Sequence, residues 1–153
     1  MNDDRHKNTP RGQLELELGE QINALISASH ALNVKTAARF DPSIQPAGFH
    51  IIRWLYSYGP TSATMLAEST AMDRSSVSRL VKQLELLGYV KREASPDDRR
   101  GILLSLTELG QQKTMDALKE KEFVFYEHIS RWDDEQLEHF IGMLRDFNGF
   151  DHK

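Results

Sequence analysis

Arg74, Ser75, Ser76, Ser78, Arg79 and Lys82 stand close together and alternate with Val77, Leu80, Val81 and Leu84. The polar members of this set suit recognition of nucleic acid. An arginine fork can bond O6 and N7 of guanine through two parallel N–H donors, and a serine hydroxyl can meet a base edge or a phosphate. Lys82, one turn further along, suits a phosphate better than a base. The apolar positions recur with helical period, so the polar ones share the other face of one helix. A solvated helix face that happens to lack acids is the competing reading.

A second cluster follows about 20 residues later. Arg99 and Arg100 stand in the run Ser95-Pro96-Asp97-Asp98-Arg99-Arg100-Gly101, between two stretches with strand character. An arginine on a protruding hairpin tip can enter the narrow, electronegative minor groove beside a major-groove site. Asp98 is close enough to orient one guanidinium, or to satisfy it when DNA is absent. Taken alone, the tip also fits a solvated turn in which Asp97 and Asp98 cancel the two arginines. Its position after a polar helix favours the DNA reading.

Other chemistries find few residues. The chain has no cysteine, which excludes disulfides, thiolate nucleophiles and cysteine zinc sites. It has no phosphate-cradling glycine loop and no nucleophile elbow. Histidines stand at positions 6, 30, 50, 128, 139 and 152, and no two have the i, i+4 spacing of a helical metal site. His128 and His139 have carboxylates nearby, but a helix break separates them. Asp133 and Asp134 read as helix-start residues rather than a catalytic pair. We expect no enzyme, no metal and no cofactor.

The elements that must position the arginines follow from periodicity and punctuation. Leu14, Leu18, Ile22, Leu25, Ile26 and Leu32 mark one long helix from Gln13 to about Arg39, with a loose polar tail before it. A second helix spans Pro46 to Tyr58, stopped by Gly59 and Pro60. Ser62 caps a short third helix over Ala63 to Ser69, and Asp73 caps a fourth that reaches Leu87, with Leu87 on its buried face. Tyr89 to Ala94 and Ile102 to Leu106 read as strands. Thr107 caps a fifth helix of about 24 residues. Asp133 with Gln136 forms a capping box for a last helix carrying Leu137, Phe140, Ile141, Leu144 and Phe147. The fold class is mainly α with a small β-hairpin wing: a winged helix-turn-helix flanked by long N- and C-terminal dimerisation helices. The expected divisions are a flexible tail at 1–12, a helical dimerisation region at 13–45 and 107–153, and a winged helix-turn-helix at 46–106.

Length and charge agree with this plan. The 153 residues suit one domain with an attached helical module. The formal net charge of −4 is not that of a nucleic-acid binder. Residues 44–105, however, hold eight basic against six acidic side chains, and residues 106–153 hold six against eleven. The charge asymmetry permits polyanion binding by the middle of the chain without requiring it. No apolar run reaches the length of a membrane span, and the first 13 residues lack the apolar core of a signal peptide. A cytoplasmic location is expected.

Residues 61–110 resemble the MarR family of bacterial transcriptional regulators. The likeness rests on Leu66-Ala67-Glu68, Ser76-Val77-Ser78-Arg79-Leu80-Val81, Leu84-Glu85, Gly88-Tyr89-Val90, Asp98-Arg99-Arg100-Gly101 and Leu106-Thr107-Glu108-Leu109-Gly110. With the flanking helix order it extends over about residues 14–148. The resemblance implies a homodimer built from the first and last two helices, with one winged lobe on each half of a palindromic operator in double-stranded DNA. It also implies that Arg100 is the wing arginine that enters the minor groove.

The family often takes small aromatic acids in a cleft between dimer helices and winged lobe. Here the candidates are His30, His50, Arg53 and Trp54, a cationic group beside an aromatic wall. The plainer reading, which we prefer, makes Trp54 core and Arg53 solvated. The expected function is a homodimeric, sequence-specific DNA-binding regulator, a repressor released by a small-molecule ligand. The alternatives are a winged-helix module that binds protein, or a metal-responsive regulator of the same fold.

Overall fold

The computed structural model describes residues 6–98 and 101–149. Helix α1 (Pro10–Phe40) is followed by α2 (Pro46–Tyr58), α3 (Ala63–Thr70) and α4 (Arg74–Leu86). Strands β1 (Val90–Ala94) and β2 (Ile102–Leu106) come next, then α5 (Glu108–Ile129) and α6 (Asp134–Phe147). By internal packing the chain divides into two units, one ending at Leu118 and the other starting at Lys119.

Helix α1 starts earlier than its apolar period suggests. Pro10 occupies the first helical turn, where its missing N–H costs nothing, and the Thr9 hydroxyl accepts from Gly12 N–H at 3.0 Å. Part of the expected 1–12 tail is therefore helical: Pro10 is a start signal here, not a loop residue. The other caps are those expected. Ser62 accepts from Met65 N–H, and Asp73 accepts from Ser76 N–H.

The core of this unit joins all its elements. Phe40, Phe49, Ile51, Ile52, Leu55, Leu66, Val77, Val81, Leu84 and Leu104 are buried together. Phe40 meets Phe49 at 5.6 Å between ring centroids and Tyr89 edge-on at 4.8 Å. Leu87 departs from expectation: the helix ends at Leu86, and Leu87 caps it while 37% exposed. Ala71 makes the turn between α3 and α4 in the left-handed conformation, with φ 54°.

The wing is an antiparallel hairpin in which Val90 faces Leu106 and Ala94 faces Ile102. A third piece of chain joins it: Thr61 and Leu104 exchange both backbone hydrogen bonds, at 3.0 and 2.7 Å. One hydroxyl ties the wing to α5. Thr107 Oγ1 donates to the Gly88 carbonyl at 2.6 Å and accepts from Gly110 N–H at 3.0 Å, and Thr107 N–H donates to the Tyr89 carbonyl at 2.9 Å. Gly88 turns the chain at φ +83°, and a Cβ on Gly110 would lie 2.3 Å from the Tyr89 carbonyl oxygen.

In the second unit the expected capping box is complete. Asp133 accepts from Gln136 N–H, and the Gln136 side chain accepts from Asp133 N–H. Trp132 packs edge-on against Phe140 at 5.4 Å. Phe140, Ile141, Met143, Leu144 and Phe147 are exposed all the same. In the first unit Leu14, Leu18, Leu25 and Ile26 of α1 are exposed too, as are Leu109 and Met115. These helices thus carry apolar faces that the single chain leaves open to solvent.

Candidate nucleic-acid interface

The burial of α4 follows the sequence pattern. Val77, Leu80, Val81 and Leu84 are buried, while Arg74, Ser75, Ser78, Arg79 and Lys82 are exposed and Ser76 is half-buried. The inward residues fix the helix on the core and leave the first turn and its outer face clear.

Asp73 organises that first turn. Its carboxylate accepts from the Ser75 hydroxyl at 2.7 Å, from Ser76 N–H at 2.7 Å and from the Ser76 hydroxyl at 2.8 Å. The Ser75 hydroxyl contributes most, and together these bonds bring the Asp73 pKa down to about 2. Because both serines donate to Asp73, each hydroxyl offers only lone pairs outward. In this arrangement Ser75 and Ser76 can accept from an exocyclic base amine, but cannot donate to a phosphate. Sequence reasoning left both options open, and the cap narrows them.

Arg74 is also held. One of its Nη2 protons goes to Thr64 Oγ1 at 2.7 Å, across the turn between α3 and α4. Sequence reasoning missed this partner, since ten positions separate the two residues; the helix-turn-helix geometry brings them together. Among the described residues, no hydrogen bond or ion pair engages the side chain of Arg79 or Lys82. On the wing, Arg92 is matched by Glu85 at 2.6 Å and Lys91 by Glu93 at 2.8 Å, so these strand cations are neutralised locally. Asp98 is exposed, and its carbonyl accepts from Gly101 N–H at 3.0 Å, closing the tip. Arg99 and Arg100 lie outside the described residues.

The four candidate ligand residues have distinct surroundings. His30 and His50 are exposed. The Arg53 guanidinium lies 6.0 Å from the Tyr56 ring centroid, and Trp54 packs against the core with its ring 4.9 Å from that of Tyr58. An open cleft does exist in the first unit, but Arg39, Lys113, Asp116 and Ala117 line it and none of the four does.

Lys113 links this cleft to the wing. It donates to the Tyr89 hydroxyl at 3.1 Å and lies over the Tyr89 and Phe40 rings at 5.1 and 5.6 Å. Tyr89 in turn donates to Asp41 at 2.6 Å. The Ser43 hydroxyl, then Tyr89 and the Ser43 N–H, lower the Asp41 pKa to about 2. Burial first, and Asp41 second, push the Tyr89 hydroxyl up.

Residues 44–102 match the family model described as MarR family. The chain is 30% identical over 107 residues to the uncharacterized HTH-type transcriptional regulator YxaD of Bacillus subtilis, covering 69% of this chain and 74% of YxaD. It is 31% identical over 70 residues to the HTH-type transcriptional repressor NicR of Pseudomonas putida, covering 46% of this chain and 44% of NicR. Among solved structures, it is similar to a MarR family transcriptional regulator from Silicibacter pomeroyi, with a TM-score of 0.72 and 24% identity over 95% of this chain and 97% of that one. This last likeness bears on the fold alone.

Proposed function

The chain belongs to the MarR family of transcriptional regulators, and from that premise we propose that it is a homodimeric, sequence-specific DNA-binding repressor acting in the cytoplasm and released by a small-molecule ligand. The observation that carries the DNA reading is α4: an exposed first turn bearing Arg74, Ser75, Ser78 and Arg79, set on a buried face of Val77, Leu80, Val81 and Leu84. A helix of this kind fits the major groove with its N-terminal residues at the base edges. Arg74, Ser75, Ser76, Ser78 and Arg79 are the base-facing set, and Lys82 takes a phosphate. Arg99 and Arg100, with Asp98 beside them, serve the minor groove.

Dimerisation is supported by the open apolar faces. Leu14, Leu18, Leu25 and Ile26 are exposed on α1, and Phe140, Ile141, Leu144 and Phe147 on α6, and clustered apolar exposure of this kind marks interaction surfaces. Residues 13–45 and 107–153 are the dimerising region and 46–106 the DNA-binding one. Repression is supported by the likeness to NicR. Release by a small aromatic acid, with His30, His50, Arg53 and Trp54 as its candidate contacts, completes the proposal.

Selection of bound fragments from random duplex DNA tests it. The expected product is a palindrome whose half-sites lie about 34–36 Å apart, the spacing that twofold-related recognition helices require on one face of B-DNA. Recovery of no sequence would refute the DNA reading and favour a protein-binding module.

A further inference from the structure

We infer that Thr64 is a positioning residue for base recognition, acting through Arg74. This rests on the reading that α4 enters the major groove. Thr64 is the second residue of α3 and Arg74 the first of α4, and Arg74 Nη2 donates to Thr64 Oγ1 at 2.7 Å across the turn between them.

The bond is poorly explained by stability. Both residues are exposed, and a hydrogen bond between exposed groups adds little to folding. An arginine at the first position of a helix meets the positive end of the helix dipole, which the Asp73 carboxylate at the N-cap here offsets in part. A neighbouring helix then fixes the flexible tip of Arg74. That combination orders a long side chain before any partner arrives.

The geometry leaves the guanidinium competent. Thr64 occupies one of its five N–H donors. Four remain, enough for a bidentate bond to guanine O6 and N7. Ordering a rotamer-rich side chain on binding lowers affinity by roughly 2- to 10-fold, and a side chain already held avoids part of that loss. Thr64 thus sharpens the preference that Arg74 expresses without touching the base itself.

The experiment uses the full-length chain and the duplex it selects, in a thermodynamic cycle of Thr64→Val, Arg74→Ala and the double variant, with Thr64→Ser beside them. Valine keeps the shape of threonine at an exposed helical position and removes the hydroxyl. Melting should therefore be unchanged within the range of ordinary surface substitutions. Thr64→Val is expected to weaken binding by about 2-fold, the most that a bond worth about 0.5 kcal/mol can supply by pre-ordering, and to relax preference at the base pair that Arg74→Ala relaxes. Thr64→Ser is expected to restore both. In the Arg74→Ala background, Thr64→Val should change nothing further. A Thr64→Val variant that binds and discriminates like the wild type overturns the inference. So does a loss fully additive with Arg74→Ala, which would make Thr64 a direct contact. A wild-type chain that selects no duplex overturns the DNA reading and the inference together, and so is told apart from either result.

Discussion

Replacing Gly110 by alanine tests whether the junction between wing and α5 is as tight as its geometry requires. The new Cβ would lie 2.3 Å from the Tyr89 carbonyl oxygen, 3.2 Å from its carbon and 3.3 Å from the Tyr89 Cα. All three are backbone atoms, so no side-chain rotation relieves the contact. The start of β1 must retreat from α5 by about an ångström to reach ordinary contact distance, an overpacking cost of about 1–3 kcal/mol. That retreat stretches the bond from Thr107 N–H to the Tyr89 carbonyl and the one from the Thr107 hydroxyl to the Gly88 carbonyl. Each is worth about 0.5–1.5 kcal/mol. Reduced freedom of the unfolded chain returns about 0.4–1 kcal/mol. The net expectation is a destabilisation of about 2–4 kcal/mol. Urea unfolding of both proteins at one fixed concentration measures it, since dimerisation as proposed would make stability depend on concentration. A loss below about 0.5 kcal/mol, the scatter of neutral surface changes, would refute the claim that Gly110 is confined.

Four further outcomes are expected. Arg79→Ala should cost about 1–3 kcal/mol on the selected operator and relax one base position, whereas Arg100→Ala should spread its loss over A·T-rich flanks and reduce the salt slope by about one phosphate equivalent; titrations against salt on specific and scrambled duplexes separate the two. Removal of residues 137–153 should abolish DNA binding and leave monomer or aggregate by light scattering, because the proposed dimer would lose its α6 face. Tyr89→Phe should raise the Asp41 pKa from about 2 toward its usual 3.8, followed by carbon-detected carboxyl titration. For Asp73, whose folded pKa of about 2 lies below the unfolded 3.8, the stabilisation is complete above pH 4 and lost as pH falls toward 2; Asp73→Asn should flatten that part of the acid-unfolding curve.

What could be read from the chain, and what could not, divides by distance along it. Ser62, Asp73 and the Asp133–Gln136 pair act on N–H groups three residues away, so local rules found them. The buried stripe of α4 was legible because its period is set within one helix. Thr9 was not, because Pro10 and Gly12 signal a loop as readily as a helix start until a cap is seen beside them. Leu87 fits the α4 stripe by spacing, yet the helix ends one residue before it and Gly88 turns the chain away. The side-chain contacts between elements were out of reach: Thr64 with Arg74 spans ten positions, and Asp41 with Tyr89 spans 48. Nothing in spacing alone relates such pairs. The grouping of His30 with His50, Arg53 and Trp54 rests on the family resemblance, not on spacing, and none of the four lines the open cleft beside Lys113.

The Thr107 hydroxyl has a bearing on how this chain can vary. It is donor to Gly88 and acceptor from Gly110 at once, and Gly110 can approach only because it has no Cβ. Substitutions at these positions therefore cannot act independently. Once an alanine at 110 has driven the Tyr89 carbonyl away, a valine at 107 has less left to lose, so the double variant should cost less than the two singles added. For laboratory evolution this makes the joint a single epistatic unit. A library that samples 107 and 110 one at a time would find both nearly closed to change, while paired substitution, with the wing reseated, is where tolerated alternatives are to be sought.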